Sequence, residues 1–120
     1  MKLEGKSIRT FIGSKDFELS RKFYVELGFK EIILSEKMSY FYANQLGFYL
    51  QDYFLKDWVE NSMVFLEVKD LEATLKEIEN LNLPNKYAGV KLSKIHENEW
   101  GDEFFLHDPA GILWHFGRFN

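Results

Sequence analysis

Few side chains in this sequence could carry catalytic chemistry. There is no Cys, which excludes thiolate nucleophiles and disulfides, and no Ser or Thr stands in the context of a nucleophile elbow. His96-Glu97 and Asp102-Glu103 are adjacent pairs on predicted strands, where neighbouring side chains face opposite sides of a sheet. Neither pair therefore predicts an acid–base dyad. We expect His96 and His107 to be exposed or hydrogen-bonded, which leaves His115 as the candidate general base.

The most informative stretch lies near the C-terminal end and predicts a β-hairpin. Residues 104–106 and 112–116 are of the aromatic and β-branched types that favour strands. Between them, Asp108 can accept backbone hydrogen bonds, Pro109 fixes φ at the first turn position, and Gly111 can adopt φ > 0. Each residue of this turn therefore has a physical reason to be there.

The first half of the chain predicts a strand, a helix and three more strands. Asp16 is a good helix N-cap, and Leu19, Phe23 and Leu27 recur every four residues as an apolar stripe. Gly28 is a natural helix terminator. The predicted helix spans residues 16–27, and the predicted strands span residues 7–13, 29–34, 38–43 and 48–54.

The second half predicts the same order after a polar connection at residues 55–61. Asp70 is again an N-cap, for a helix over residues 70–81, and the Pro at position 84 breaks the helical pattern. The predicted strands are residues 62–69, residues 90–95 and the two strands of the final hairpin. The two caps are 54 residues apart, and at that offset Phe11 matches Phe65. The repeated order of strands and helix therefore indicates an internal repeat.

Two stretches carry a family resemblance. Trp-Gly-x-Glu-Phe-x-Leu-x-Asp-Pro-Ala-Gly at 100–111, followed by His-Phe at 115–116, resembles the last hairpin of bleomycin-resistance proteins, members of the glyoxalase (vicinal-oxygen-chelate) superfamily. Ser-Lys-Asp-Phe at 14–17, followed by Phe-Tyr at 23–24 and Leu-Gly-Phe at 27–29, resembles the first helix of the same family. The resemblance implies an α+β fold. The fold would consist of two βαβββ modules, at about 7–54 and 62–119, within a single domain over 1–120. The modules would form a curved mixed sheet around a cavity, with the helices on the outer face.

Enzymes of this superfamily usually hold a divalent metal through His or Glu side chains. The resemblance places the ligand positions at Arg9, Gln51, Met63 and His115. Arg cannot ligate, Gln offers only a neutral carbonyl, and a Met thioether suits Cu(I) rather than hard cations. Hard or borderline cations need at least three or four oxygen or nitrogen ligands. The sequence therefore predicts no metal and no cofactor, which argues against glyoxalase or extradiol-dioxygenase chemistry.

If the modules fold as the resemblance implies, strand alternation assigns the cavity face. The lining is mostly apolar and aromatic, as expected of a small-molecule pocket. Arg9 and Glu67 either orient a polar ligand or pair with each other. The assigned residues are Arg9, Phe11, Tyr49, Gln51, Tyr53, Met63, Phe65, Glu67, Leu113 and His115.

Two of the three tryptophans fall outside the periodic core pattern. Trp114 alternates with the cavity positions and is predicted to be in the core. Trp58 and Trp100 lie in the connection between modules and just before the final hairpin. The resemblance implies that these regions meet at a dimer crevice where flat ligand rings stack. The alternative is that each indole packs under its own loop or in a dimer interface.

The bulk composition is that of one ordinary globular domain. The chain has 120 residues, 46% hydrophobic and 28% charged, with a net charge of −4 that argues against nucleic-acid binding and mildly favours a neutral or cationic ligand. No apolar run approaches the ~20 residues that span a bilayer, and no charged start leads into an apolar segment. Together with the absence of Cys, this predicts a cytoplasmic protein.

The leading hypothesis is a metal-independent small-molecule binding protein of the bleomycin-resistance type. It would sequester a flat, cationic ligand, such as a cationic aromatic compound, in the crevice of a homodimer. The ligand-binding residues would be Arg9, Tyr49, Gln51, Trp58, Phe65, Glu67, Trp100 and His115, with no catalytic residue. One alternative is a diverged lyase or isomerase with His115 as general base and Arg9 as its electrostatic partner. The other is a dimeric structural or regulatory domain with a vestigial cavity.

Overall fold

The computed structural model describes residues 1–120, in nine strands and four helices. The first half contains β1 (Phe11–Gly13), α1 (Phe17–Leu27), β2 (Lys30–Ser35), β3 (Met38–Ala43) and β4 (Leu46–Gln51). The chain then forms α2 (Lys56–Glu60), β5 (Met63–Glu67), α3 (Leu71–Leu81) and α4 (Leu83–Lys86). It ends with β6 (Lys91–Leu92), β7 (His96–Glu97), β8 (Gly101–His107) and β9 (Leu113–Phe119). None of the helices is long and apolar enough to cross a membrane.

The two long helices begin and end at the residues that the sequence predicts. The Asp16 carboxylate accepts a hydrogen bond from the Leu19 backbone N–H at 3.2 Å, and α1 ends at Gly28 with φ of 116°. In α3 the Asp70 carboxylate accepts from the Ala73 N–H at 3.0 Å. These bonds satisfy backbone donors that have no partner within the helix.

Each half of the chain forms its own sheet, and the two sheets have the same design. The first has the strand order β1-β4-β3-β2, and the second has β5-β9-β8-β6, with β7 also paired to β8. In both, the first strand of the module pairs in parallel with the last, and the hairpin strands are antiparallel. The predicted α+β fold with two βαβββ modules is confirmed.

Two predicted strands are wrong in extent. Strand β1 begins at Phe11 instead of residue 7. The Thr10 carbonyl still accepts the Tyr49 backbone N–H at 3.0 Å, but the residues before it leave the sheet, and residues 6–10 line a cavity together with residues 45–48. Of the strand predicted at 90–95 only β6, Lys91–Leu92, forms, and β7 follows it at His96–Glu97. The hydroxyl of Ser93 accepts the Phe105 backbone N–H at 2.8 Å, so a side chain takes the place of a backbone acceptor and interrupts the ladder. The other strand ends differ by up to three residues.

Two short helices are also absent from the predicted order. The connection at 55–61 contains α2, whose single fully buried residue is Val59, and five residues are too few to show a helical period. Helix α3 ends at Leu81, as predicted, but the break is made by Asn82, which adopts φ of 56°, and not by Pro84 two residues later. The chain then forms α4, because Pro is tolerated in the first turn of a helix.

The core joins the two modules through aromatic rings. The indole of Trp114 lies 5.2–5.8 Å from the rings of Tyr24, Phe29 and Phe48, measured between centroids. Trp114 comes from the second sheet and is 2% exposed, as predicted, whereas the other three residues come from the first module. Edge-to-face and tilted ring pairs of this kind add to the area burial of the core.

A buried hydrogen-bond network reinforces this junction. The Tyr24 hydroxyl donates to Asp108 Oδ2 at 2.6 Å and accepts from Trp114 Nε1 at 2.9 Å. The other oxygen of Asp108 accepts the backbone N–H groups of residues 110, 111 and 112, each at 2.9 Å. Burial and the adjacent carboxylate raise the pKa of Tyr24 well above its usual value, so the hydroxyl keeps its proton and can donate. The turn predicted at Asp108 is therefore also an attachment point between modules.

Removing the Tyr24 hydroxyl is expected to destabilise the fold. Tyr24→Phe leaves the buried Asp108 oxygen and the Trp114 N–H without their partner, which costs about 1–3 kcal/mol for each buried unpaired group. Urea unfolding monitored by circular dichroism measures the free energy of unfolding. Tyr42→Phe is the matched control, because Tyr42 lies on the partly exposed surface of β3 and its hydroxyl has no hydrogen-bond partner in the protein. Equal stability of both variants and the wild type would contradict this role for the network.

Candidate functional site

Alternate residues of the central strands point away from the core and form two aromatic surfaces. In β4, Phe48 and Leu50 are buried, whereas Tyr49 and Gln51 are half-exposed. In β5, alternate residues starting with Met63 are exposed. We call the group on the first sheet the first face; it consists of Arg9, Phe11, Tyr40, Tyr49 and Gln51. The second face consists of Met63, Phe65, Glu67, Trp100, Glu103, His115 and Phe119.

The first face is built around a stacked ring pair and a cation. The rings of Phe11 and Tyr49 stack at 4.6 Å between centroids. Arg9 donates from Nη1 to the Tyr49 hydroxyl at 2.9 Å, and its guanidinium carbon lies 4.4 Å from the centroid of the Tyr40 ring. The hydrogen bond to Tyr49 raises the pKa of the Arg9 guanidinium, which therefore stays charged. Gln51, the last residue of β4, lies at one end of this face.

The second face holds three aromatic rings in mutual contact on an exposed surface. Phe65 lies 5.9 Å from Trp100 and 5.7 Å from Phe119, and Trp100 lies 5.3 Å from Phe119. The three side chains are 43%, 39% and 57% exposed, respectively, so their rings are available for further contacts. Phe65 also stacks on the imidazole of His115, with centroids 6.2 Å apart.

His115 is the one histidine of the second face and is fixed by its neighbours. Its Nδ1 lies 2.8 Å from Glu103 Oε1, and its Nε2 lies 3.4 Å from the sulfur of Met63. Asn98 donates to the other oxygen of Glu103 at 3.1 Å. The carboxylate therefore orients the imidazole, an arrangement that can serve either a general base or a ligand contact.

Both faces depend on a glycine that lets a ring approach the backbone. A Cβ at Gly117 would collide with the ring of Phe65, and a Cβ at Gly47 would collide with the ring of Tyr40. Sequence reasoning missed these glycines, and it also missed Tyr40, Glu103 and Phe119 as members of the faces. Cross-strand register is the signal that finds two of them, because Glu103 pairs opposite Gly117 and Tyr40 pairs opposite Tyr49.

The predicted site residues do not all meet within one chain. Trp58 packs against the core beside Gly13, and its ring neighbour is Tyr53 at 6.0 Å, whereas Trp100 contacts Phe65 and Phe119. Arg9 and Glu67 do not pair with each other, since Arg9 contacts two tyrosines and Glu67 forms no ion pair. Whether these residues bind a ligand stays a prediction.

A cavity of about 720 Å³ connects parts of both modules. Its walls are the N-terminal segment from Lys6 to Thr10, the start of β4 and the middle of β5. It brings together Arg9 and Phe65, two of the predicted ligand-binding residues, over a floor that includes Phe29, Phe48 and Trp114. Its volume lies within the range of about 300–1,000 Å³ that is common for small-molecule sites.

The residues at the metal positions that the family resemblance implies do not suit a divalent ion. On the second sheet only Met63 and His115 converge, and Nδ1 of His115 is engaged by Glu103. Gln51 ends β4, and Arg9 lies just before β1, where its guanidinium contacts Tyr49. No group of three or more His, Cys, Asp or Glu side chains is placed to hold a metal ion. One imidazole and one thioether fall short of the shell that a hard or borderline cation needs.

No protein-family sequence model and no curated protein sequence matches the chain. Solved structures do match it along nearly its full length. The bleomycin-binding protein from bleomycin-producing Streptomyces verticillus, complexed with copper(II)-bleomycin, superposes with a TM-score of 0.84 at 19% identity, covering 99% of this chain and 100% of that one. This chain has the glyoxalase/bleomycin-resistance fold. The fold resemblance predicted from the last hairpin and the first helix is confirmed.

Other structures with the glyoxalase/bleomycin-resistance fold also match nearly the whole chain. The bleomycin resistance determinant encoded on the transposon Tn5 has a TM-score of 0.79 at 17% identity, covering 97% of this chain and 99% of that one. A lactoylglutathione lyase from Agrobacterium tumefaciens has a TM-score of 0.74 at 13% identity, covering 98% and 96%. The fold is thus shared by binding proteins and an enzyme, and at these identities function must be argued from the site.

The protein is expected to purify without a stoichiometric divalent metal. Elemental analysis by mass spectrometry after purification without chelator should find no equivalent of Ni, Zn, Fe or Mn, because Arg9, Gln51, Met63 and His115 cannot complete a ligand shell. His115→Ala, which removes the only imidazole among these four positions, is the control and should give the same metal content. One equivalent per chain in the wild type that EDTA removes, with loss of ligand binding or activity, would contradict this expectation.

Proposed function

We propose that this protein binds a flat small molecule and sequesters it without making or breaking a covalent bond. The observation that carries the proposal is the exposed three-ring cluster of Phe65, Trp100 and Phe119. Large rings in mutual contact at an exposed surface are usually covered by a partner or a ligand. Planar ligands gain roughly 0.5–1.5 kcal/mol per aromatic contact beyond area burial.

The ligands of proteins with the same fold support this proposal. The Streptomyces verticillus protein is a bleomycin-binding protein, and the Tn5 protein is a bleomycin resistance determinant. Our protein shares their fold over nearly its whole length and has the unsuitable metal positions expected of a binding protein rather than a metalloenzyme. We propose the same type of action, sequestration that is independent of a metal, for a ligand of this chain.

We further propose that the working unit is a homodimer whose crevice joins the two faces. Within one chain no ring contact connects the first face to the second, so a ligand held between rings needs them brought together. A two-fold arrangement that places the first face of one chain opposite the second face of its partner does this. It also covers exposed apolar side chains, among them Phe11, Met63 and Phe65. Trp58 and Gln51 would then lie at the edge of the crevice.

The enzyme alternative rests on the bond between His115 and Glu103. A carboxylate that fixes Nδ1 leaves Nε2 to act as a general base, which would suit a lyase or isomerase. The lactoylglutathione lyase shows that the fold accommodates an enzyme. The Met63 sulfur lies 3.4 Å from Nε2, so this side chain stands in the path by which a substrate proton would reach that nitrogen, and the binding function is the better supported of the two.

Sedimentation equilibrium is expected to show a dimer of twice the 14.3 kDa chain mass. Phe65→Glu should shift the population toward monomer, because a carboxylate in a ring cluster loses apolar contact and pays a desolvation cost on association. Ile33→Glu is the matched control, since Ile33 is 63% exposed on the edge strand β2 and lies outside both faces. A wild type that is monomeric at micromolar concentration, or equal effects of the two substitutions, would argue against the crevice.

Truncating Trp100 is expected to weaken binding of a flat aromatic ligand. Loss of one stacking partner should reduce the affinity about 2- to 12-fold. Quenching of tryptophan fluorescence detects binding of bleomycin and other cationic aromatic compounds to the wild type, and calorimetry compares the affinities of the variants. Ile33→Ala controls for truncation of an exposed apolar residue elsewhere.

Trp58→Ala tests the second predicted stacking residue in the same assay. A loss of affinity without a loss of stability would place Trp58 at the ligand, whereas a loss of stability alone would assign it to packing beside Gly13. Unchanged affinity of Trp100→Ala for a compound that binds the wild type would show that Trp100 is structural and that the crevice is wrongly placed.

A further inference from the structure

The cavity of about 720 Å³ carries a charge opposite to that of the whole protein. The chain has a net charge of −4, yet the two ionisable side chains that line this cavity are both cationic, Lys6 and Arg9. No Asp or Glu is among its lining residues. The net charge predicts attraction of cations at long range, whereas the groups that would touch a ligand here favour an anion.

Neither cation is neutralised within the chain. Arg21, Lys86 and Arg118 each pair with a carboxylate, at 2.6 Å for Arg21 and 3.0 Å for the other two. Lys6 and Arg9 form no ion pair, and Arg9 instead donates one N–H to the neutral hydroxyl of Tyr49. Its remaining guanidinium donors are therefore free for a carboxylate, which Arg can bind through two N–H groups.

The rest of the cavity lining consists of aromatic side chains at the floor and neutral polar side chains at the edge. The buried side chains of Phe29, Phe48 and Trp114 border the cavity from below, and their positions are fixed by mutual contacts of 5.1–5.8 Å between centroids. Ser7, Thr10 and Gln45 add neutral hydrogen-bonding groups. Apolar walls with a few convergent polar groups are typical of sites for small organic molecules.

We propose that this cavity binds the anionic end of a planar aromatic ligand, a carboxylate or a group of equivalent charge, through Lys6 and Arg9. This assignment rests on the proposed binding function. It gives the ligand a negatively charged group, whereas the sequence analysis favours a neutral or cationic ligand. The aromatic body contacts Phe65 and the ring floor, and the anionic group lies at the N-terminal segment. The site thus distinguishes ligands by the sign of the charge next to the ring.

Three compounds that share a naphthalene ring test the proposal: 2-naphthoate, its neutral amide, and 2-naphthylmethylammonium. Calorimetric titration of the full-length wild type should give the highest affinity for 2-naphthoate and the lowest for the ammonium compound. Lys6→Gln and Arg9→Gln should each weaken 2-naphthoate about 2- to 5-fold, as expected for exposed charge pairs, and leave the amide unchanged. Lys2→Gln, a cation of the same segment outside the cavity, is the matched control.

The outcomes separate the charge assignment from the binding function. If the amide or the ammonium compound binds as tightly as 2-naphthoate, or if Lys6→Gln and Arg9→Gln change nothing, the anion site is wrong while binding of flat molecules stands. If Lys2→Gln has the same effect as the other two, the effect is nonspecific charge and the site is again wrong. If none of the three compounds binds the wild type although bleomycin or another flat compound does, the anion site is wrong and the proposed function stands. If none of these compounds binds, both are overturned.

Discussion

The buried carboxylate of Asp108 holds the two modules in one relative position. One of its oxygens closes the turn between β8 and β9, and the other accepts the hydroxyl of Tyr24 from the helix of the other module. A buried charge is tolerable only where hydrogen bonds replace its water shell, and four bonds do so here. Because Trp114 donates to the same hydroxyl, the network also fixes the central ring of the core. The cavity walls that come from the two modules depend on this attachment.

Most of the fold could be predicted from the sequence because its local signals agree with one another. Helix caps at Asp16 and Asp70, apolar periods and a turn with a reason for each residue all indicate the same order of elements. What could not be predicted depends on distant partners. The departure of residues 7–9 from β4 and the interruption of a strand at Ser93 are decided by tertiary contacts. Helix α2 is too short to show a period.

The site was predicted less completely than the fold. Alternation along β4, β5 and β9 correctly separated exposed from buried residues, since a period of two follows from strand geometry alone. The partners of those residues were hidden, because they come from neighbouring strands whose register the sequence does not show. Glu103 against His115 and Phe119 against Phe65 are contacts of this kind. The positive charge of the cavity lining likewise depends on which side chains the fold brings together there, whereas the net charge of the whole chain is negative.

The parallel pairing of β5 with β9 has a consequence for how the chain acquires its structure. Phe65 is opposite His115, fifty residues later, and β9 is the sole strand neighbour of β5. During synthesis β5 therefore emerges long before the strand that will pair with it, and its apolar side chains stay unpaired in that interval. Pairings this distant slow folding and expose chains to aggregation. The charges that follow the apolar run, Glu67, Lys69 and Asp70, are the kind of flanking residues that discourage association of such a strand with copies of itself.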